Sequence, residues 1–226
     1  MSQNSGQAIQ LALKLTHQSP HSLEYFIPHS GVVEAVSAMR EAVKTVVKYP
    51  TRSCMVYLFG AEGTGKTHLL RGFEFEARGR GIPSERLLFC DNWLADTEHL
   101  AEVTAAFVSN YQRIKSTGGI IAVASRYAPQ AATRDPHVLS RAISGLVAEL
   151  RYPRTEELRP LLISLLEREN LRLKERSLNA LFNMIPANPS ACEKIFSQLS
   201  DYIAQSGQSG SERSIRQFLK MLREKA

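Results

Sequence analysis

Residues Gly60-Ala61-Glu62-Gly63-Thr64-Gly65-Lys66-Thr67 are the part of this sequence most able to do chemistry. Their spacing is G-x-x-x-x-G-K-[ST]. They follow an apolar run, Cys54-Met55-Val56-Tyr57-Leu58-Phe59, and lead into a helix-compatible stretch. Strand, Gly-rich turn and helix are the context a phosphate loop requires. Gly60, Gly63 and Gly65 let the backbone curl so that successive N–H groups face phosphate oxygens. The helix N-terminus adds partial positive charge. Lys66 is expected to reach the β- and γ-phosphates and the Thr67 hydroxyl to hold Mg²⁺, with Thr64 and His68 completing the lining. A chance Gly-rich turn is the competing reading, and the matched positions in this context argue against it. The expected ligand is a nucleoside di- or triphosphate.

A phosphate loop needs an acidic partner at the end of a neighbouring buried strand to organise the metal. Leu87-Leu88-Phe89-Cys90-Asp91 supplies one, although Asp also ends strands because it favours turns. The next residue is Asn92. It can hydrogen-bond a water but cannot take its proton at neutral pH. Intrinsic hydrolysis is therefore expected to be slow.

The elements that must position these residues follow from apolar periodicity. Residues 1–22 read as a polar, flexible arm with one apolar island around Gln10, Leu11, Leu13 and Leu15. Val32 through Val46 have helical spacing and Pro50 ends that helix. Buried strands are expected at 54–59, 87–90 and 120–124, with helices at about 66–78 and 98–114 between them. Strands alternating with helices imply an α/β fold, a parallel sheet covered on both faces. Asp91, Ser125 and the phosphate loop then all lie at the carboxyl ends of the strands. From Pro153 the pattern is helical only, with Ser214 the expected N-cap of the last helix. The domains expected are an arm over 1–22, an α/β nucleotide-binding base over 23–153 and a helical lid over 154–226.

Composition sets outer bounds. The net charge of +6 permits nucleic-acid contact but the positive residues are scattered, so an ordinary basic surface explains them equally well. No apolar stretch is long enough to span a membrane. The polar N-terminus lacks the features of a secretory signal, and three scattered cysteines suit a reducing cytosol.

Order and spacing carry a resemblance. Gly65-Lys66-Thr67-His68-Leu69-Leu70, Cys90-Asp91-Asn92, Ala124-Ser125-Arg126 with Pro129, and Leu139-Ser140-Arg141 resemble the AAA+ ATPases, and among them the DnaA-related proteins, over about residues 23–226. The resemblance implies a P-loop AAA+ base, with one strand fewer than usual because the segment between Thr67 and Leu87 is short, and a C-terminal lid. It implies ADP or ATP with Mg²⁺ as cofactors. Tyr25, Phe26 and Pro28 fall where the family cups adenine. Asp91 supports the metal, and Ser125 matches sensor 1 near the γ-phosphate. Arg141 matches the arginine finger, which acts on the nucleotide of a neighbouring subunit. Gln10-Leu11-Ala12-Leu13-Lys14-Leu15 resembles the peptide by which regulatory members of the family dock on the DNA polymerase III sliding clamp, a mode that seats alternate apolar side chains in a groove.

The implied role is regulation of replication initiation in a bacterial cytoplasm. DnaA and the clamp are the implied partners, DNA is contacted indirectly through the clamp, and homo-oligomers are allowed. No helix-turn-helix unit follows the lid residues in this sequence, which suits a regulator better than an initiator. Two alternatives stay open: an adaptor whose ATPase site has decayed, and a helicase-loader type of ATPase. Three departures from the pattern bear on them. Asn92 replaces a carboxylate. Ser190 stands where the lid presents a sensor 2 arginine, with Lys194 one turn later. Arg126 stands where an acidic residue is usual, a change the sequence does not explain.

Overall fold

The computed structural model describes residues 23, 26–94, 100–169, 171–185, 189–206 and 210–224. The arm motif and Tyr25 lie outside the described residues. A short 3₁₀ turn, Ser30–Val32, leads into α1 (Val33–Lys48). Then come β1 (Ser53–Gly60), α2 (Lys66–Gly79), β2 (Leu87–Cys90), α3 (Leu100–Thr117) and β3 (Gly119–Ser125). Two short helices, α4 (Pro129–Ala132) and α5 (Pro136–Ala142), precede β4 (Leu146–Leu150). Helices α6 (Thr155–Arg168), α7 (Glu175–Phe182), α8 (Pro189–Ser206) and α9 (Glu212–Glu224) follow.

The four strands are all parallel, in the order β2-β3-β1-β4. The central strands read as unbroken apolar runs because both of their faces are covered. All seven residues of β3 are buried. One face carries a core in which Val36, Met39 and Val43 of α1 and Leu69, Leu70 and Phe73 of α2 meet Val56, Leu58 and Ile120. The other face packs Met55, Tyr57, Ile121 and Val123 against Trp93, against Phe107 and Ile114 of α3, and against Val138 and Ala142 of α5. A third apolar cluster lies within α6–α9, centred on Leu166, Leu181, Phe196, Leu199 and Phe218.

The segment between residues 26 and 30 joins these cores. Phe26 packs against the first and Ile27 against the third. Glu157 of α6 fixes this junction. Its carboxylate accepts from the Ser30 backbone N–H and from the Ser30 hydroxyl, both at 2.7 Å, and from the Arg154 N–H at 2.9 Å. Those hydrogen bonds, the Ser30 hydroxyl first, hold the Glu157 carboxyl down at about 2.

The structure adds to the sequence reading in two places and corrects it in one. Strand β4 is present although no strand is expected there, and α4 and α5 fill the rest of the interval before it. Between α2 and β2 there is only a 3₁₀ turn, Ser84–Arg86, so β2 forms an edge of the sheet, in line with the expected missing strand. The cap of α9 is Ser211, not Ser214. The Ser211 hydroxyl accepts from the Ser214 N–H at 3.3 Å, and Ser214 sits buried in the first turn.

Candidate nucleotide site

The phosphate loop leaves β1 at Gly60 and enters α2 at Lys66. A Cβ at Gly60 would lie 2.2 Å from the Leu150 carbonyl oxygen, so only glycine lets the loop start this close to β4. Gly65, immediately before α2, has φ +91°, a left-handed conformation that costs a side-chain-bearing residue free energy. The α2 N-terminus therefore opens onto the loop with its first-turn N–H groups free of intrahelical partners. Thr64 is buried, and its hydroxyl donates to the Ala61 carbonyl at 2.9 Å, which closes the loop.

Lys66 is only 8% exposed. Its ammonium donates to the Gly60 and Ala61 carbonyls, both at 2.8 Å. An ammonium has three donors, so one remains for a ligand. Burial lowers the Lys66 pKa, Asp91 and Glu62 oppose that, and Arg126 adds to the lowering. Thr67 lies in the first turn of α2. Asp91 follows β2 directly, and one of its carboxylate oxygens accepts from the Asn92 N–H at 3.0 Å. Asn92 has φ +50°, a conformation Asn tolerates better than most residues. Ser125 ends β3 and is 2% exposed. Its hydroxyl accepts from the Tyr127 N–H at 3.4 Å; burial raises the Tyr57 pKa and the nearby Ser125 side chain opposes that rise. Phe26 stands beside the loop: its ring centroid is 5.6 Å from that of His68, and its edge faces Gly65. Pro28 is exposed two residues further on.

These residues fit a nucleotide. The glycine conformations, the helix N-terminus and the spare Lys66 donor suit a phosphate chain. Thr67 and Asp91 are oxygen donors of the type Mg²⁺ takes. Phe26 offers an apolar face at the edge of the loop.

Arg141 is elsewhere. It sits in the last turn of α5, partly buried, with its guanidinium carbon 5.7 Å from the centre of the Tyr111 ring of α3. Nη1 donates to the His137 carbonyl at 2.6 Å. Arg141, Ser140, Tyr111, Gln112, Lys115 and Ser116 line an open cavity of about 440 Å³. The chain just after Arg141 packs low on β1, where a Cβ at Gly145 would lie 2.0 Å from the Met55 carbonyl oxygen. Met55 is five residues before Gly60, roughly 16 Å along a strand. The segment that carries Arg141 thus lies toward the end of β1 remote from the loop of its own chain.

Two features had no clear sequence signal. Arg126 lies within electrostatic reach of Lys66, so the residue the sequence left unexplained is a second cation beside the loop. Tyr57, Trp93, Phe107 and Tyr111 form a row of rings with successive centroids 5.7, 4.7 and 6.1 Å apart, running from Ser125 toward Arg141. Tyr57 lies in the apolar run before the loop and Trp93 follows Asp91-Asn92, whereas Phe107 and Tyr111 adjoin no recognisable motif.

The fold is the AAA+ P-loop fold. It is similar to domain III of the Thermotoga maritima replication initiation protein DnaA, with a TM-score of 0.72 and 22% identity over 89% of this chain and 97% of that one. AMPPCP-bound DnaA from Aquifex aeolicus matches with a TM-score of 0.65 at 21% identity, over 88% of this chain and 70% of that chain. The Holliday junction branch migration motor RuvB of Thermotoga maritima matches with a TM-score of 0.63 at 15% identity, over 90% and 72%. No family model and no curated protein matches the sequence.

Proposed function

We propose that this protein is a regulator of replication initiation of the Hda kind. In this reading it binds ADP or ATP with Mg²⁺, docks on the DNA polymerase III sliding clamp through its N-terminal arm, and stimulates hydrolysis of ATP held by DnaA. The observation that carries the reading is the division of the site. A nucleotide loop with Asn92 in place of a carboxylate is suited to holding nucleotide more than to hydrolysing it. Arg141 lies on another face, in an open cavity, where it is available to a second protein.

In this reading the loop N–H groups and Lys66 hold the phosphates, Thr67 and Asp91 hold the metal, and Phe26 and Pro28 bound the base. The metal neutralises phosphate charge. Ser125 is positioned at the γ-phosphate end. Arg141 enters the nucleotide site of DnaA and stabilises charge developing on the transferred phosphoryl group, an effect worth about 10³–10⁵ in rate where such fingers are known. Likeness to DnaA domain III supports the pairing, because an AAA+ domain of similar shape is the natural neighbour for such a finger. Gln10, Leu11, Leu13 and Leu15 supply the clamp contact, which brings the protein to DNA indirectly.

The test is hydrolysis of ATP bound to DnaA, with clamp loaded on DNA, in the presence and absence of this protein. Acceleration that needs the clamp and is lost in Arg141→Ala supports the reading; no acceleration by the folded protein refutes it. Asn92 and Ser190 favour one other reading, an adaptor that recruits partners without nucleotide. Calorimetry separates the two, since an adaptor of that kind binds neither ADP nor ATP at millimolar concentration.

A further inference from the structure

The structure ties Arg141 to a single side chain at two points. The Tyr111 ring lies under the guanidinium, 5.7 Å from its central carbon. The Tyr111 hydroxyl is 2.9 Å from Ser144 Oγ, and Ser144 Oγ donates to the Arg141 carbonyl at 2.7 Å. A serine hydroxyl has one hydrogen, so Tyr111 is the donor in the first of these bonds. One tyrosine thus holds both the charged tip and the backbone of Arg141. Its own position is fixed by Phe107, whose ring centroid is 6.1 Å away, and through Phe107 by buried Trp93. The third restraint is the His137 carbonyl, which accepts from Nη1. Arg141 Nε is buried and has no hydrogen-bond partner among the described residues. Nη2 and the second Nη1 hydrogen are therefore the donors left for a partner, and the Tyr111 ring packs against the guanidinium that carries them.

The geometry points to Tyr111 as the positioning residue for Arg141, with Ser144 as its tether. This rests on the regulator reading above, in which Arg141 is the group delivered to a partner's nucleotide. The physical reason is entropic and geometric. An arginine free to rotate spends little time in the one pose that meets a transferred phosphoryl group, and a small misplacement costs rate steeply. A ring face under the guanidinium holds it by cation–π attraction without competing for the donors that must meet the phosphate. Tyr111 acts through Arg141 and does not itself touch the reacting atoms.

The experiment compares Tyr111→Phe, Tyr111→Leu, Ser144→Ala and Arg141→Ala in the full chain, using single-turnover hydrolysis of ATP on DnaA with DNA-loaded clamp. Phe keeps the ring and loses the tether; Leu keeps apolar bulk and loses the ring face. Tyr111→Leu is expected to lower the maximal rate roughly 10- to 100-fold while the concentration giving half-maximal stimulation stays within about 3-fold. Tyr111→Phe and Ser144→Ala should fall by less than about 5-fold, the ring still being in place. Equal rates for Tyr111→Leu and Tyr111→Phe, with Arg141→Ala inactive, would overturn the positioning role and leave the regulator reading standing. Wild-type stimulation by Arg141→Ala would overturn the positioning role together with the finger assignment, whereas no stimulation by the wild-type protein would overturn the regulator reading itself. A fall caused only by misfolding would appear as a shifted half-maximal concentration and a lowered melting temperature in Tyr111→Leu, and that pattern also counts against the proposal.

Discussion

Replacing Lys66 by Ala tests the nucleotide site with a magnitude the structure supplies. The ammonium spends two donors on Gly60 and Ala61 and keeps one. One charge-assisted hydrogen bond to phosphate contributes about 1.5–3 kcal/mol, so Lys66→Ala should weaken ADP and ATP binding roughly 10- to 150-fold. The protein without nucleotide should change little. The variant loses two hydrogen bonds but also removes an ammonium whose charged form burial disfavours. These effects oppose each other, and the unliganded melting temperature should move by less than about 3 °C, the equivalent of ~1 kcal/mol in a domain of this size. The assay is thermal unfolding with and without Mg-ADP. At a ligand concentration 100 times the wild-type Kd, binding stabilises by about 2.7 kcal/mol, or roughly 5–11 °C. A variant bound 100-fold more weakly would gain only ~0.4 kcal/mol, about 1 °C, at the same concentration. A full thermal shift in Lys66→Ala, with calorimetry giving an unchanged Kd, would refute the assignment of the loop as the phosphate site.

Further expectations follow from particular contacts. Gly60→Ala places a Cβ 2.2 Å from the Leu150 carbonyl at a positive φ, and should destabilise by about 2–4 kcal/mol in denaturant titration, a wild-type midpoint counting against this packing. The Glu157 carboxyl is held at about 2, below its ordinary 4.5. A depressed carboxyl stabilises fully above its unfolded pKa and loses that contribution as pH falls through the folded one. The junction with Ser30 should therefore persist at pH 4.5 and loosen toward pH 2, with Glu157→Gln abolishing this dependence in an acid titration followed by fluorescence or amide exchange. Ser211→Ala should cost about 1 kcal/mol and Ser214→Gly should not mimic it through capping, which urea unfolding of the two variants will distinguish. Arg126→Glu should weaken nucleotide binding by reversing a charge beside Lys66, while raised salt narrows the difference from wild type.

What the sequence disclosed depended on how local the physics was. The phosphate loop, Asp91 and Ser125 were legible because a strand end and the turn after it are contiguous in the chain. Strands β1, β2 and β3 were legible as apolar runs. Strand β4 was not, because it is five residues long, pairs only with β1 and leaves the apolar Leu146 and Val147 exposed, so the pattern of apolar residues does not follow its burial. Helix α4 is one turn long and has no period to detect. The α9 cap was misplaced because Ser211 and Ser214 both suit the role, and only the start of the helix at Glu212 and the bond from the Ser214 N–H to the Ser211 hydroxyl decide between them. The Tyr57-Trp93-Phe107-Tyr111 row could not be read at all, since it is assembled from β1, the loop after β2 and α3.

That row bears on how the two halves of the site relate. Tyr57 bonds the Tyr127 carbonyl at 2.9 Å and meets Ser125, which ends the central strand beside the phosphate loop. Trp93 takes its place two residues after Asp91, and its backbone N–H donates to the Ala124 carbonyl at 2.8 Å. Tyr111 ends the row under Arg141. Packed rings resist small displacements because protein interiors are close-packed. The groups expected to meet this chain's nucleotide and the arginine expected to meet a partner's therefore rest on one rigid support. The simplest consequence is that Trp93→Ala, which removes the ring joining Tyr57 to Phe107, should impair stimulation through Arg141 more than nucleotide binding at Lys66. It should also destabilise the base by about 3–5 kcal/mol, so the comparison is made at a temperature where the variant is folded by circular dichroism. Equal losses at both sites would show that the ring supports the fold alone and not the placing of Arg141.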